Sequence, residues 1–276
     1  MNKIVWWNIN TGGAQRVTDR LSSVFERLAE CDAAVIGLTE AGRVVQPAIR
    51  ALARKKGYSV VLGDGLSQRK GVSLLVDNSL TTTQPTTIDA LTSQGNIVGQ
   101  WAGAVVEGLL AKPVFVASVY NYLPYQAGVA ESVWAAARRL CEGTVIAGGD
   151  WNFSRSCDGR PEGPGSGTPA FEYLERDLGW HNVLPLDQRG LAHEVPTWPM
   201  HAGRNNPRMP RQLDHVFADP ATARHLSVSV DDADFRHHGM NLSDHAILTT
   251  AIHPDDVSPS NVASRGPRPR SPQAST

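Results

Sequence analysis

The chain has 276 residues, room for one or two domains of about 150 residues or for a single α/β domain of about 250. Hydrophobic residues make up 41% and charged residues 19%, with a net charge of −1, which excludes a wholly disordered or supercharged protein. Three cysteines, Cys31, Cys141 and Cys157, lack CxxC spacing, so neither a disulfide framework nor a thiolate zinc site is expected, and a reducing compartment fits best.

From the N-terminus, MNKIVWWNIN lacks the apolar core of a signal peptide, and no apolar run approaches the roughly 18 residues of a membrane span. A soluble, cytoplasmic protein is expected. Short apolar runs rich in β-branched residues then follow one another: 4–9, 33–38, 58–63, 72–77, 102–110, 114–120, 144–149, 214–218 and 246–252. These nine read as strands. Leu21, Val24, Phe25, Leu28 and Ala29 repeat at helical spacing between the first two, and a weaker helix is expected over 47–56. Val129, Val133, Ala136, Ala137 and Leu140 mark a third helix. Phe171, Leu174 and Leu178 mark a fourth, stopped by Gly179. So many strands with about four helices predict two packed sheets flanked by helices, an α/β sandwich. After His253 the composition turns to Pro, Ser and Arg without apolar periodicity, so residues 1–253 are expected to fold and 254–276 to be disordered. Two aspartates against three arginines in that tail leave the body at −2, so any nucleic-acid contact needs a local basic patch.

Polar residues stand where the strands end. Asn8 closes IVWWN, Glu40 closes VIGLTE, Tyr122 follows FVASVYN, and Asp150 with Asn152 closes TVIAGGDWN. Asp214 begins DHVFA, and Asp244 and His245 precede AILTTAI. Singly, each has a plainer reading: Asn and Asp form turns, a terminal Glu is solvated, a Tyr packs, and a His is a satisfied imidazole. Their co-occurrence carries the argument. Four carboxylates and two amides are hard oxygen donors of the kind magnesium prefers, with one or two carboxylates and substrate phosphate completing its shell. Zinc would call for imidazole or thiolate, and no HExxH spacing is present. Hydrolysis of a phosphate ester needs a Lewis acid, an aligned water and a base or charge stabiliser, and this inventory holds candidates for each.

In order, WN, LTE, NYLP, GGDWN, RQLDHVF and LSDHAIL resemble the endonuclease/exonuclease/phosphatase superfamily over nearly all of residues 1–253. The resemblance implies the deoxyribonuclease I-like four-layer sandwich of two mixed sheets. It implies Glu40 as principal metal ligand with Asn8 beside it, and Asp244 as a further metal or imidazole-positioning carboxylate. It makes Asp150 the group that orients or activates water and Asn152 the holder of the phosphate. Asp214 would orient His245, which acts as base or as charge stabiliser. The Tyr-Leu-Pro at Tyr122 and the segment RKGVSLLVD look like exonuclease III and abasic-site endonucleases, although the Gly/Pro-rich loop after GDWN has no counterpart there. Inositol-polyphosphate phosphatases fit less well.

Arg204, Arg208 and Arg211 with Trp198 form a candidate phosphate-gripping lip with a stacking surface, or else an ordinary solvated loop. Arg236, His237 and His238 extend it or lie idle. The expectation is a magnesium-dependent phosphodiesterase, with manganese as substitute, that acts as a monomer on nucleic acid, DNA above all, as an endonuclease or exonuclease. A phosphatase for a small phosphorylated molecule or lipid head group is the alternative, and a non-catalytic binding module of the same fold is the second.

Overall fold

The computed structural model describes residues 2–9, 17–63, 70–93, 96–122, 127–154, 168–186, 192–193, 195–197, 212–231 and 242–253. The first sheet is built from β1 (Lys3–Asn8), β2 (Val35–Thr39), β3 (Tyr58–Leu62) and β4 (Val72–Asp77). The second takes β5 (Thr81–Ser93), β6 (Asn96–Glu107), β7 (Val114–Asn121), β8 (Val145–Asp150), β9 (His181–Asn182) and β10 (Asp214–Ala218). The chain then returns to the first sheet with β11 (Leu226–Asp231) and β12 (Ile247–Ile252), giving the strand orders β11-β12-β1-β2-β4-β3 and β5-β6-β7-β8-β10-β9. Both sheets are mixed. Each has one parallel pair, β1 with β2 and β7 with β8, and antiparallel neighbours elsewhere.

Each parallel pair needs a crossover, and a helix supplies it. α1 (Val17–Glu30) joins β1 to β2, and α3 (Ala127–Cys141) joins β7 to β8. α1 and α2 (Gln46–Lys56) cover the outer face of the first sheet, where Leu21, Val24, Phe25, Leu28 and Ile49 pack on Val5, Trp7, Ile36 and Leu38. Val129, Val133 and Ala137 of α3, with Phe171 and Leu174, cover the second sheet over Trp101, Phe115, Ala147 and Phe217. The remaining alternate residues meet between the sheets: Ile4, Trp6, Val35 and Leu74 against Ala104, Val116, Ile146 and Val216. Period-two alternation thus gives every central strand two buried faces, and the four-layer sandwich follows.

Trp6 fills the middle of the inter-sheet layer because two strands leave room for it. A Cβ on Gly37 would lie 2.3 Å from its ring, and one on Gly148 would lie 2.4 Å from it. The indole N–H donates to Thr250 Oγ1 at 3.1 Å, so its polar atom is paired as well. Gly148→Ala is therefore expected to lower stability by about 1–3 kcal/mol through overpacking, read as a shift in the urea midpoint at unchanged slope.

All nine expected strands and all four expected helices are present, with adjusted bounds and additions. The apolar run at 102–110 belongs to a longer strand beginning at Asn96 and ending at Glu107. β5, β9 and β11 were not expected, nor was the short α5 (Pro220–Ala223). The fourth helix is one α-helical turn, α4 (Thr168–Glu172), running into a π-helical turn at Tyr173–Asp177, and Gly179 follows at φ 70°, the left-handed conformation its C′ position requires. Trp6 and Trp7 face opposite layers, and both are buried. The tail after His253 lies outside the described residues.

Candidate active site

The parallel pairs put the C-terminal ends of β1, β2, β7 and β8 at one edge of the sandwich, and the antiparallel neighbours begin there. Registers fix the alignment: Asn8 sits opposite Thr39, Tyr120 opposite Asp150, and Asp150 opposite Asp214. Glu40 follows Thr39 with φ 52°, and Asn152, two residues after Asp150, has φ 54°. Two expected site residues therefore occupy a backbone region that non-glycine residues rarely adopt, a strain that concentrates at functional positions.

Asn8 is the bridge between the sheets. Its Nδ2 donates to Asp150 Oδ2 at 2.9 Å, lies 3.4 Å from Glu40 Oε1, and stands 3.4 Å from His245 Nε2. The other ring nitrogen of His245, Nδ1, is 2.7 Å from Asp214 Oδ2, so the carboxylate–imidazole pair expected from the resemblance is formed. Burial opposes charge on His245, but the adjacent carboxylate of Asp214, helped by Asp150 and Asp244, lifts its pKa to about 10. Asp150 is also buried, and this pushes its pKa up to about 8, with Asp214 and Glu40 adding to the rise while His245 and the Asn8 bond oppose it.

Backbone and side-chain bonds hold these groups. Asp150 Oδ1 accepts the Asn152 N–H at 3.0 Å, and Asn152 Nδ2 donates to the Asn121 carbonyl at 2.6 Å. Ser243 Oγ donates to the Asn8 carbonyl and accepts the His245 N–H at 3.1 Å. Buried Thr197 accepts the N–H groups of Leu213 and Asp214 through Oγ1, at 3.0 and 3.1 Å, and that of Ala246 through its carbonyl at 2.7 Å. Asp244 is half-buried; its charge acts against the burial that lowers the Arg20 pKa, and Arg20 Nη2 donates to the Ile9 carbonyl at 2.9 Å.

On the other side of Glu40 stands a pair of tyrosines. Tyr120 donates its hydroxyl to Glu40 Oε1, at 2.9 Å. Tyr122 packs edge-on against the Tyr120 ring, and its hydroxyl accepts from Gln100 Nε2. Burial, and then the charge of Glu40, raises the Tyr120 pKa far above its ordinary range, so it stays a neutral donor. Lys70 Nζ lies 4.9 Å from the Tyr122 ring centre and 5.7 Å from that of Tyr120, and the neighbouring Gly71 carbonyl accepts the Ala41 N–H. A Cβ on Gly71 would meet the Ala41 oxygen at 2.6 Å, so this approach needs glycine.

Asn8, Glu40, Tyr122, Asp150, Asn152, Asp214, Asp244 and His245 thus fall at or beside one edge. Trp198, Arg204, Arg208 and Arg211 lie outside the described residues, as do Arg236, His237 and His238. Tyr120, Gln100, Lys70, Thr197 and Ser243 are site residues that sequence reasoning misses. The Ser of LSDH is readable as a turn-forming side chain; the others gain partners only through long-range packing.

The donor set suits a hard cation. Glu40 is half-buried rather than sealed, so a cation held there would keep water ligands, and the Asp150 carboxylate lies close by, bridged to Glu40 by the Asn8 amide. Among the described residues no three His, Cys, Asp or Glu side chains gather closely enough to hold a metal ion by themselves, so these groups would supply only part of a cation's shell.

A sequence model of the endonuclease/exonuclease/phosphatase family matches residues 5–245. The chain belongs to that family. Its members are hydrolases of phosphate esters that typically use divalent metals. A 3'-5' exonuclease, NExo, from Neisseria meningitidis shares the fold at TM-score 0.62 and 21% identity, over 91% of this chain and 99% of its own. A family protein from Leptotrichia buccalis gives TM-score 0.65 at 13% identity over 92% and 100%. Danio rerio TDP2 complexed with single-strand DNA product gives 0.62 at 16% identity over 90% and 97%. No curated protein matches by sequence. Among the described residues no helix is long and apolar enough to cross a membrane.

Proposed function

We propose that this family member is a magnesium-dependent phosphodiesterase that cleaves nucleic acid, DNA in the first place, by in-line attack of water. The observation that carries the reading is the Asp214–His245 pair gathered with Asn8, Asp150 and Glu40 at one edge of both sheets. Glu40 and Asn8 would hold the cation, with Asp244 nearby. A bound divalent cation supplies Lewis-acid polarisation of the phosphoryl oxygens and a more acidic bound water; manganese is the expected substitute.

The chain's own groups do the rest. His245, oriented by Asp214, presents Nε2 to the phosphate as an imidazolium that stabilises charge. Asn152, anchored on Asn121, turns its second amide hydrogen to the same phosphate. Asp150 lies at the centre of the site, and in its ionised form it would receive the proton of the attacking water. Tyr120 keeps Glu40 in place, and Tyr122, packed against the Tyr120 ring, would contact the substrate. Trp198, Arg204, Arg208 and Arg211 would grip the strand. The DNA substrate is supported by the product complexes of NExo with a DNA hairpin and of TDP2 with single-strand DNA.

A small phosphorylated substrate is the second reading, favoured by the near-neutral charge, since duplex binding usually brings a basic stripe. We further infer a cytoplasmic monomer, in keeping with the lack of a disulfide among the described cysteines Cys31 and Cys141, with residues 1–253 as the phosphoesterase domain. Glu40→Gln is expected to cut turnover about 100-fold or more and to raise the magnesium concentration needed for half-maximal rate. A metal titration of rate checks this; an unchanged magnesium dependence would remove Glu40 from the metal site.

A further inference from the structure

Behind the acid–imidazole pair, on the helix-covered face of β10, a second histidine is buried. His215 sits next to Asp214 in the chain, so strand alternation points it away from the cleft and among Phe153, Phe171 and Phe217. Its ring lies nearly parallel to that of Phe153, with centroids 5.4 Å apart. Its polar atoms are not idle.

The direction of each hydrogen bond described around it is fixed by groups that have only one role. The Val195 N–H can only donate, and it meets Gln212 Oε1 at 2.9 Å. Gln212 Nε2 must therefore be the donating end of the amide, and it lies 3.2 Å from the Asp214 carbonyl and 3.3 Å from His215 Nδ1. Nδ1 then accepts, which leaves the proton on Nε2. Nε2 is 2.8 Å from the Phe153 carbonyl, which can only accept. The four bonds agree on one arrangement: a neutral imidazole protonated at Nε2.

Both ends of this relay reach site residues. Phe153 directly follows Asn152, held at positive φ, and Gln212 holds the Asp214 carbonyl two residues along. We propose that His215 and Gln212 are positioning residues that lock the Asp150–Asn152 turn to the Asp214 strand, and so set the place of Asn152 and the angle of the Asp214–His245 pair. The catalytic arm of this proposal rests on the phosphodiesterase reading, whereas the protonation pattern of the relay does not.

The test uses the full chain and two variants. His215→Phe keeps the ring volume and the stack on Phe153 while deleting both hydrogen bonds, and His215→Gln returns a donor toward the Phe153 carbonyl. The expected result is a fall in kcat of about 10- to 100-fold for the Phe variant at nearly unchanged KM, with partial recovery in the Gln variant. Long-range proton–nitrogen NMR on histidine-labelled protein is expected to find wild-type His215 protonated at Nε2 alone, and to find the His245 ring signals displaced in the Phe variant. A folded Phe variant with wild-type kcat, a His215 protonated at Nδ1, or His245 signals that do not move would each overturn the proposal. Should the wild-type protein turn over no phosphodiester, the functional reading fails separately and the two NMR results alone decide.

Discussion

His245→Ala is expected to lower metal-dependent turnover of a phosphodiester by about 10³- to 10⁴-fold while the protein remains folded. The size follows from removing a positioned proton donor or charge at the reacting phosphate, typically worth about 10²–10⁴ in rate. It lies at the upper end because the deletion also leaves Asp214, buried and 2.7 Å from the missing ring, without its partner. The same loss should be visible without substrate. With pKa lifted to about 10, His245 contributes stability that is fully present below its ordinary pKa near 6.5 and disappears as pH rises through about 10. The stability gap between wild type and the Ala variant should therefore narrow from pH 7 to pH 10. Urea midpoints across that range, measured in EDTA, check it; a constant gap would mean that the pair does not carry the charge argued for it.

The second large effect has opposite signs in rate and in stability. Asp150→Asn should abolish most turnover, about 10³-fold or more, because the group expected to receive the water proton is gone. Yet the variant should be the more stable protein at neutral pH. Burial holds the Asp150 pKa up at about 8, so folding favours its protonated form. Its contribution is present below the ordinary pKa near 4 and is lost progressively as pH rises to about 8. An amide of the same shape carries no such loss and still meets the Asn152 N–H through its oxygen, provided that the Asn8 amide turns its own oxygen to the new nitrogen in place of the Nδ2 donor. The variant's advantage should grow from nothing near pH 4 to about 2–5 kcal/mol at pH 8 in metal-free buffer. Paired denaturation curves at pH 4, 6 and 8 test this, and a variant less stable than wild type at pH 8 would refute it. Sites that bury charge for chemistry commonly show this exchange of stability for activity.

Much of this architecture is legible in the chain because its central strands are apolar on both faces. Residues 4–9, 33–38 and 114–120 could hardly be anything else, and the polar residues that end them mark one edge of a sheet from the sequence pattern alone. The less legible strands lack that signature. β5 runs through TTTQPTTIDALTS at the edge of its sheet, where Pro85 falls in a register shift between Thr83 and Thr86 and the missing N–H costs no ladder bond. β11 alternates buried Leu226 and Val228 with more exposed serines, and β9 has only two residues.

The site divides in the same way. Asn8, Glu40, Asp150 and His245 are found because each ends or begins an apolar run. Tyr120 and Tyr122 are two residues apart and share a face, so alternation alone does not choose between them. The choice is made by how one sheet lies on the other, which brings the Tyr120 hydroxyl to Glu40 across 80 residues of sequence. Lys70, Gln100, Thr197 and Gln212 are ordinary polar residues in their local context. Only their distant partners give them meaning, and those partners are set by tertiary packing.

Cleavage of a labelled panel tests the central claim most directly: intact, nicked and abasic duplex, single-stranded DNA, RNA and a chromogenic phosphodiester, each with magnesium, with manganese and with EDTA, alongside His245→Ala. The account predicts cutting of at least one DNA substrate that requires the metal, stops in EDTA and is lost in the variant. Turnover of the chromogenic ester alone would move the substrate to the small phosphorylated class; no turnover of any member by folded, metal-supplied protein would contradict the assignment of a phosphodiesterase site.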